Sequence, residues 1–135
     1  MVTLPYHIEI SDHVRMVWAC EPTVAYVQLA VREVVQHKDY RNGMPVVCEI
    51  PQSHYDPSAR EVRAIAREIA AQKLRLGPIA LVVHSRLHFG LGNMLHAYCR
   101  MHGVQLAVFY DSEKGLQWAW REAVESQPNC LEAGA

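Results

Sequence analysis

The sequence predicts an α/β fold: a mixed, largely parallel four- to five-stranded sheet flanked by helices, in the order β-β-α-β-α-β-α-β-α. Three observations lead to it. Runs rich in β-branched residues alternate along the chain with longer segments of helical period. The run Ile79 to His84 is apolar almost throughout, the pattern of a strand with helices on both faces of a parallel sheet. Residues that start and stop helices stand at the junctions between the two kinds of segment.

Taken in order, Tyr6 to Ile10 and Val14 to Cys20 are short runs of β-formers. The turn-like Ser11-Asp12-His13 between them makes an N-terminal hairpin at one edge of the sheet. Glu21-Pro22-Thr23 stops the second strand, and Pro22 suits a first helical turn, where its missing N–H costs nothing. Thr23 to His37 is rich in valine. Yet Val24, Val27, Val31, Val34 and Val35 recur at helical spacing over a length too great for one ordinary strand, so a helix is expected. Asn42-Gly43 marks the turn that follows.

Pro45 to Ile50 is a compact apolar strand ended by Pro51. The next helix opens in one of two registers: Ser58 with Glu61 as a capping box, or Asp56 with Pro57 at the first helical position. It is expected to run to about Leu76 behind the stripe Val62, Ile65, Ala66, Ile69 and Ala70, with Gly77-Pro78 closing it. After Ile79 to His84 come a polar turn, Gly90-x-Gly92 and then a helix that buries Leu91, Met94, Leu95 and Tyr98, stopped by Gly103. Val104 to Tyr110 is the last strand, and Asp111 or Ser112 caps a final helix to about Glu125. Strands alternating with helices imply right-handed crossovers, and the ligands of such sheets bind outside the carboxyl ends of the strands.

At 135 residues the chain fits one domain, read as residues 1–125, with residues 126–135 as a loose tail lacking periodic pattern. Hydrophobic residues make up 50%, which argues for a folded globule. Charged residues are 20% and the net charge is −1, so nothing electrostatic points to nucleic acid. Cys20, Cys48, Cys99 and Cys130 are scattered without a C-x-x-C, as reduced cysteines are in a cytosolic protein. No run is long enough for a transmembrane segment, and the N-terminus lacks the basic flank and apolar core of a secretory signal. The expectation is a soluble cytoplasmic protein.

Several local patterns, in their order and spacing, resemble the SpoIIAA-like, or STAS-like, family, whose domain is shared by sulfate transporters and anti-sigma factor antagonists. They are Pro45-Val46-Val47-Cys48-Glu49-Ile50 and the helix start Ser58-Ala59-Arg60-Glu61-Val62. Further along, Ala80-Leu81-Val82-Val83 is followed by Phe89-Gly90-Leu91-Gly92-Asn93-Met94. Last come Val108-Phe109-Tyr110-Asp111 and Gly115-Leu116-Gln117-Trp118. The resemblance covers Tyr6 to about Trp120. It implies a four- or five-stranded sheet flanked by helices and does not imply an enzyme: related folds act in protein–protein regulation or bind lipid-like molecules. Anti-sigma antagonists carry an Asp-Ser-Ser-Gly-like segment with a phosphorylatable serine at a helix start. The matching region here, Gln52 to Ser58, has no Ser-Gly pair, and Ser58 is well explained as a cap.

The candidate chemistry gathers around Ile79 to Met101. Glycines where a strand turns into a helix let backbone N–H groups approach an anion. Gly90-x-Gly92 lacks the third glycine of a dinucleotide loop, since Leu95 stands there, and it lacks a Walker lysine; close packing of helix on sheet explains it better. His84, Arg86 and His88 flank the turn as contacts for an anionic group or as solvated loop residues. A metal needs three or four converging ligands, and His96 falls on the polar side of its helix. Glu49 and Asp111 stand at the ends of their strands, where either could exchange a proton with His84, although Asp111 also reads as a helix cap. Arg60, Arg63 and Arg67 share one helix face, suited to an acidic partner or simply to solvent. On a helical wheel Trp118 falls outside the face of Leu116, Ala119, Trp120 and Ala123, whereas the resemblance favours Trp118 as packed and Trp120 as outward. Whichever is outward is an interface candidate.

These readings converge on a non-catalytic STAS-like regulatory or binding domain with no cofactor and no metal. It would act through a protein partner or by holding a small apolar or amphipathic, lipid-like molecule between helix and sheet, and it admits a homodimer. The polar end of the ligand is expected at Glu49, His84, Arg86, His88, Gly90 and Gly92, and its tail at Leu91, Met94, Leu95 and Tyr98. The competing readings are a small enzyme using His84 with Glu49 or Asp111, and a switch phosphorylated at Ser53 or Ser58.

Overall fold

The computed structural model describes residues 4–126. The elements are β1 (Tyr6–Ile10), β2 (Val14–Trp18), α1 (Val24–Gln36), β3 (Val46–Glu49), α2 (Ala59–Ala70), β4 (Ile79–Val82), α3 (Arg86–Met101), β5 (Leu106–Phe109) and α4 (Ser112–Glu125). The strands form one sheet in sequential order. The β1–β2 hairpin is antiparallel, with Tyr6 opposite Trp18, and β2 to β5 run parallel. This is the topology of the general STAS/SpoIIAA-like fold type. The tail beyond Ser126, with Cys130, lies outside the described residues.

Strand order decides where the helices go. Each crossover from β2 to β5 steps one strand in the same direction, so right-handed connections put α1, α2 and α3 on a single face. Val27, Ala30 and Val34 of α1, Ile65, Ala66 and Ile69 of α2 and Cys99 of α3 meet Met16, Trp18, Val46, Leu81 and Val83 of the sheet in the main core. Tyr6 ties the hairpin to this layer: its hydroxyl donates to Glu33 of α1, and burial, then the Glu33 charge, push the phenol up to about 12. α4 follows the last strand and owes nothing to a crossover. It covers the opposite face, where Ala119 packs on Val47, Ala80 and Val82. The back of the hairpin carries His7, Glu9 and Arg15 and is left to solvent, as an antiparallel edge allows.

Two helix boundaries differ from those the sequence suggests. α2 ends at Ala70, not near Leu76, and the chain leaves it through turns in which Gln72 and Arg75 donate to Ile69 and Gln72. It must leave early because Gly77 is pressed onto the preceding loop. A Cβ there would sit 2.1 Å from the Met44 carbonyl oxygen. α3 begins at Arg86, ahead of the Gly-x-Gly, because Ser85 is extended and its Oγ accepts the His88 N–H. At the other end of α3, Gly103 adopts φ +79° while Gly103 and Val104 donate to Arg100 and Cys99, which completes a Schellman motif. At α2 the capping box forms at Ser58 and Glu61, so the first of the two registers holds.

Candidate functional site

Between the sheet and the α1–α3 layer lies a cavity of about 130 Å³. Its floor is the inward-facing parity of the strands: Met16 and Trp18 of β2, Val46 and Cys48 of β3, Ile79 and Leu81 of β4. Its roof is the apolar stripe of the three helices: Val27, Ala30, Val31 and Val34, then Val62, Ile65 and Ile69, then Leu91, Gly92 and Leu95. Pro22, Ile50, Tyr55 and Pro57 line the end beyond the strand carboxyl termini. The loop holding Tyr55 is pinned there by the Tyr55 hydroxyl, which donates to the Pro22 carbonyl at 3.4 Å.

Few polar atoms reach this space. The Trp18 Nε1–H donates to Cys48 Sγ at 3.2 Å. Burial pushes the Cys48 thiol up to about 11, against the smaller lowering from that bond, and the Glu49 charge adds to the rise. The thiol is therefore a neutral lining group. His88 is 3% exposed, and its Nε2 lies 2.9 Å from the Tyr55 carbonyl oxygen. A carbonyl can only accept, so Nε2 carries the proton. His88 Nδ1 is a buried nitrogen with no hydrogen-bond partner.

The structure divides the sequence-derived ligand set between two faces. His88, Leu91, Gly92 and Leu95 line the cavity. Glu49 and His84 do not, because strand alternation turns Cys48 and Val83 inward and Glu49 and His84 to the α4 face. There His84 Nε2 stands 2.7 Å from Glu49 Oε2, with side chains 41% and 29% exposed. That contact is close enough for proton exchange, and a pair so exposed contributes only ~0–1 kcal/mol to stability. Asp111 is taken up as the α4 cap, its carboxylate accepting from Glu113 and Lys114 N–H.

The remaining members are accounted for locally. Gly90 and Gly92 lie within α3, so their backbone N–H groups are not presented to an anion at a turn. Around Gly90 there is open space, whereas a Cβ on Gly92 would meet Val108 Cγ2 at 2.9 Å, so Gly92 is a close-packing glycine. Arg86 is exposed on the first turn. Met94 is half-buried and does not line the cavity. Tyr98 lies under the Arg63 guanidinium, 5.8 Å from its ring centre, which also engages one member of the arginine stripe. His96 turns back to the edge strand and hydrogen-bonds the Leu106 carbonyl, against its assignment to the polar side. No three metal-binding side chains converge among the described residues. Trp118 packs on Phe109 at 5.7 Å, and Trp120 is the outward residue at 36% exposure.

Met16, Trp18, Tyr55, Pro57 and Ala30 are cavity residues that sequence reasoning missed. The inward parity of Met16 and Trp18 was available from alternation, but nothing in a single chain shows that facing side chains fall short of meeting. Comparison of the chain with family models, curated proteins and solved structures finds no match in any of the three.

Proposed function

We propose that this chain is a non-catalytic STAS-like binding domain, formed by residues 1–125, that holds a small apolar molecule between its sheet and the α1–α3 layer. The observation that carries this reading is the cavity. An apolar cavity of about 130 Å³ leaves its lining short of packing contacts, and an occupant that fills it supplies them. Cavities of this size and character stay dry and accept benzene-sized molecules, so the occupant has about six to eight non-hydrogen atoms. That narrows a lipid-like ligand to a small ring or a short chain. The reading is non-catalytic because the His84–Glu49 pair faces away from the cavity. Among the described residues no helix is long and apolar enough to cross a membrane, and we place the protein in the cytoplasm.

Toluene is the direct probe. Saturable binding is expected, followed by shifts in the NMR signals of Ile65, Leu81 and Leu95. Ala30→Leu, which fills the space from α1, is expected to abolish those shifts while the fold persists. Absence of saturable binding, or equal binding to Ala30→Leu, refutes the cavity as a ligand site. A second mode, contact with a protein partner or another copy, rests on Trp120 and Val124, which stand exposed beside Asp12 and Met44 at the other end of the molecule.

A further inference from the structure

The geometry points to His88 as a recognition residue: we infer that the cavity selects a small apolar molecule carrying one hydrogen-bond donor, a hydroxyl or N–H, which His88 Nδ1 accepts. This rests on the cavity reading above and specifies the chemistry of its occupant.

The cavity is apolar along its floor and roof, so it offers little to hold a polar molecule or to orient an apolar one. His88 is the exception. It is 3% exposed, it lines the cavity, and its ring is fixed at one side by the Tyr55 carbonyl at 2.9 Å. That bond uses the Nε2 proton, and a buried ring with no acidic side chain bonded to it offers its second nitrogen as an acceptor. No group of the chain meets it, and it is shut off from the cavity's open space, so an incoming donor reaches it by pushing aside the lining next to it. A buried acceptor without a partner is uncommon in native folds because it forfeits the hydrogen bond it would make in water. The helix would gain by placing an apolar residue at this position, four residues before Gly92 on its buried stripe. A histidine there is explained if the partner of Nδ1 arrives with the ligand.

The polarity of the ligand follows from the tautomer. Nδ1 accepts, so the ligand must donate; a carboxylate, which only accepts, would be repelled by the same lone pair. The location follows too. His88 sits beside Tyr55, Pro57 and Pro22, at the carboxyl end of the strands, so the donor head lies there and the apolar body extends toward Val46 and Ile79. The other polar groups in reach are already engaged with each other: Trp18 Nε1–H with Cys48 Sγ.

Phenol and toluene differ only by an O–H in place of a methyl and are close in size, so they separate this inference from the cavity reading. Without a partner for the hydroxyl, toluene is the better cavity ligand, since phenol must shed its water. With His88 accepting, phenol is expected to bind about tenfold more tightly than toluene to the wild-type protein, measured by calorimetry or NMR titration. His88→Gln keeps a donor for the Tyr55 carbonyl and removes the Nδ1 acceptor, so it should reverse the order while still binding toluene. His88→Asn carries an oxygen near the Nδ1 position and should restore the preference for phenol. Toluene binding as tightly as phenol to the wild-type protein overturns the inference and leaves the cavity reading standing. Failure of both to bind overturns both. The wild-type comparison decides the matter even if a His88 variant does not fold.

Discussion

Two histidines four residues apart, His84 and His88, end in opposite environments. His84 extends from the end of a strand on the α4 face, exposed beside Glu49; His88 lies within the first helical turns and points to the core side. In the sequence both read as members of one polar mouth, because the pattern starts the helix after the glycines. Once Ser85 is the cap, His88, Gly92, Leu95 and Cys99 fall on one stripe at helical spacing. The cysteines divide in the same way. Cys20 is exposed, whereas burial pushes the Cys48 and Cys99 thiols up to about 11 and about 12. Since the thiolate is the reactive form, iodoacetamide at pH 8 should label Cys20 ahead of Cys48 and Cys99, which stay protected until the protein unfolds. Peptide mass spectrometry would show it; equal labelling of Cys48 and Cys20 would mean that the cavity floor is open to solvent.

At the scale of elements, the two glycines of α3 have opposite roles despite being two residues apart. Gly90 faces open space, so Gly90→Ala should stabilise the protein by about 0.5–1 kcal/mol through helix propensity alone. Gly92 lies against Val108 and Leu81, so Gly92→Ala should cost about 1 kcal/mol net, overpacking outweighing the same propensity gain. Urea unfolding of the two variants tests the assignment, and a like sign for both would contradict the packing of α3 on β4 and β5. Two helix starts were partly legible in the sequence, Ser58 and Asp111 each being one of two candidate caps, because capping is a contact within four residues; at α1 the cap is Thr23, so Pro22 stands before the helix and not in its first turn. The end of α2 was not, because it is set by the approach of Gly77 to a loop more than thirty residues away in the chain.

For the molecule as a whole, the sequential sheet has a consequence for where a ligand can sit. No crossover reverses direction, so the crevice that a doubly wound sheet opens at its switch point is not built. Space remains instead inside the layer, between the three helices and the strand residues that face them. The same architecture ranks the strands by protection. β3 and β4 have neighbours on both sides and helices on both faces, while β1 is an edge with a solvated back. Amide exchange should therefore be slowest in Val46–Glu49 and Ile79–Val82 and markedly faster in the outer groups of Tyr6–Ile10. Comparable protection of β1 would indicate that another surface covers it.

Element order and sheet class were determined by the sequence alone, and the caps of α2 and α4 were narrowed to two candidates each, since period, turn chemistry and capping are local and act within one or two turns of chain. Only the tertiary structure decided which face each strand residue takes relative to α4, which of Trp118 and Trp120 packs, and that facing apolar side chains leave a cavity with one unpartnered histidine nitrogen. Those outcomes depend on distances between elements far apart in the chain, and a pattern of polar and apolar residues carries the direction of a side chain but not how far it reaches.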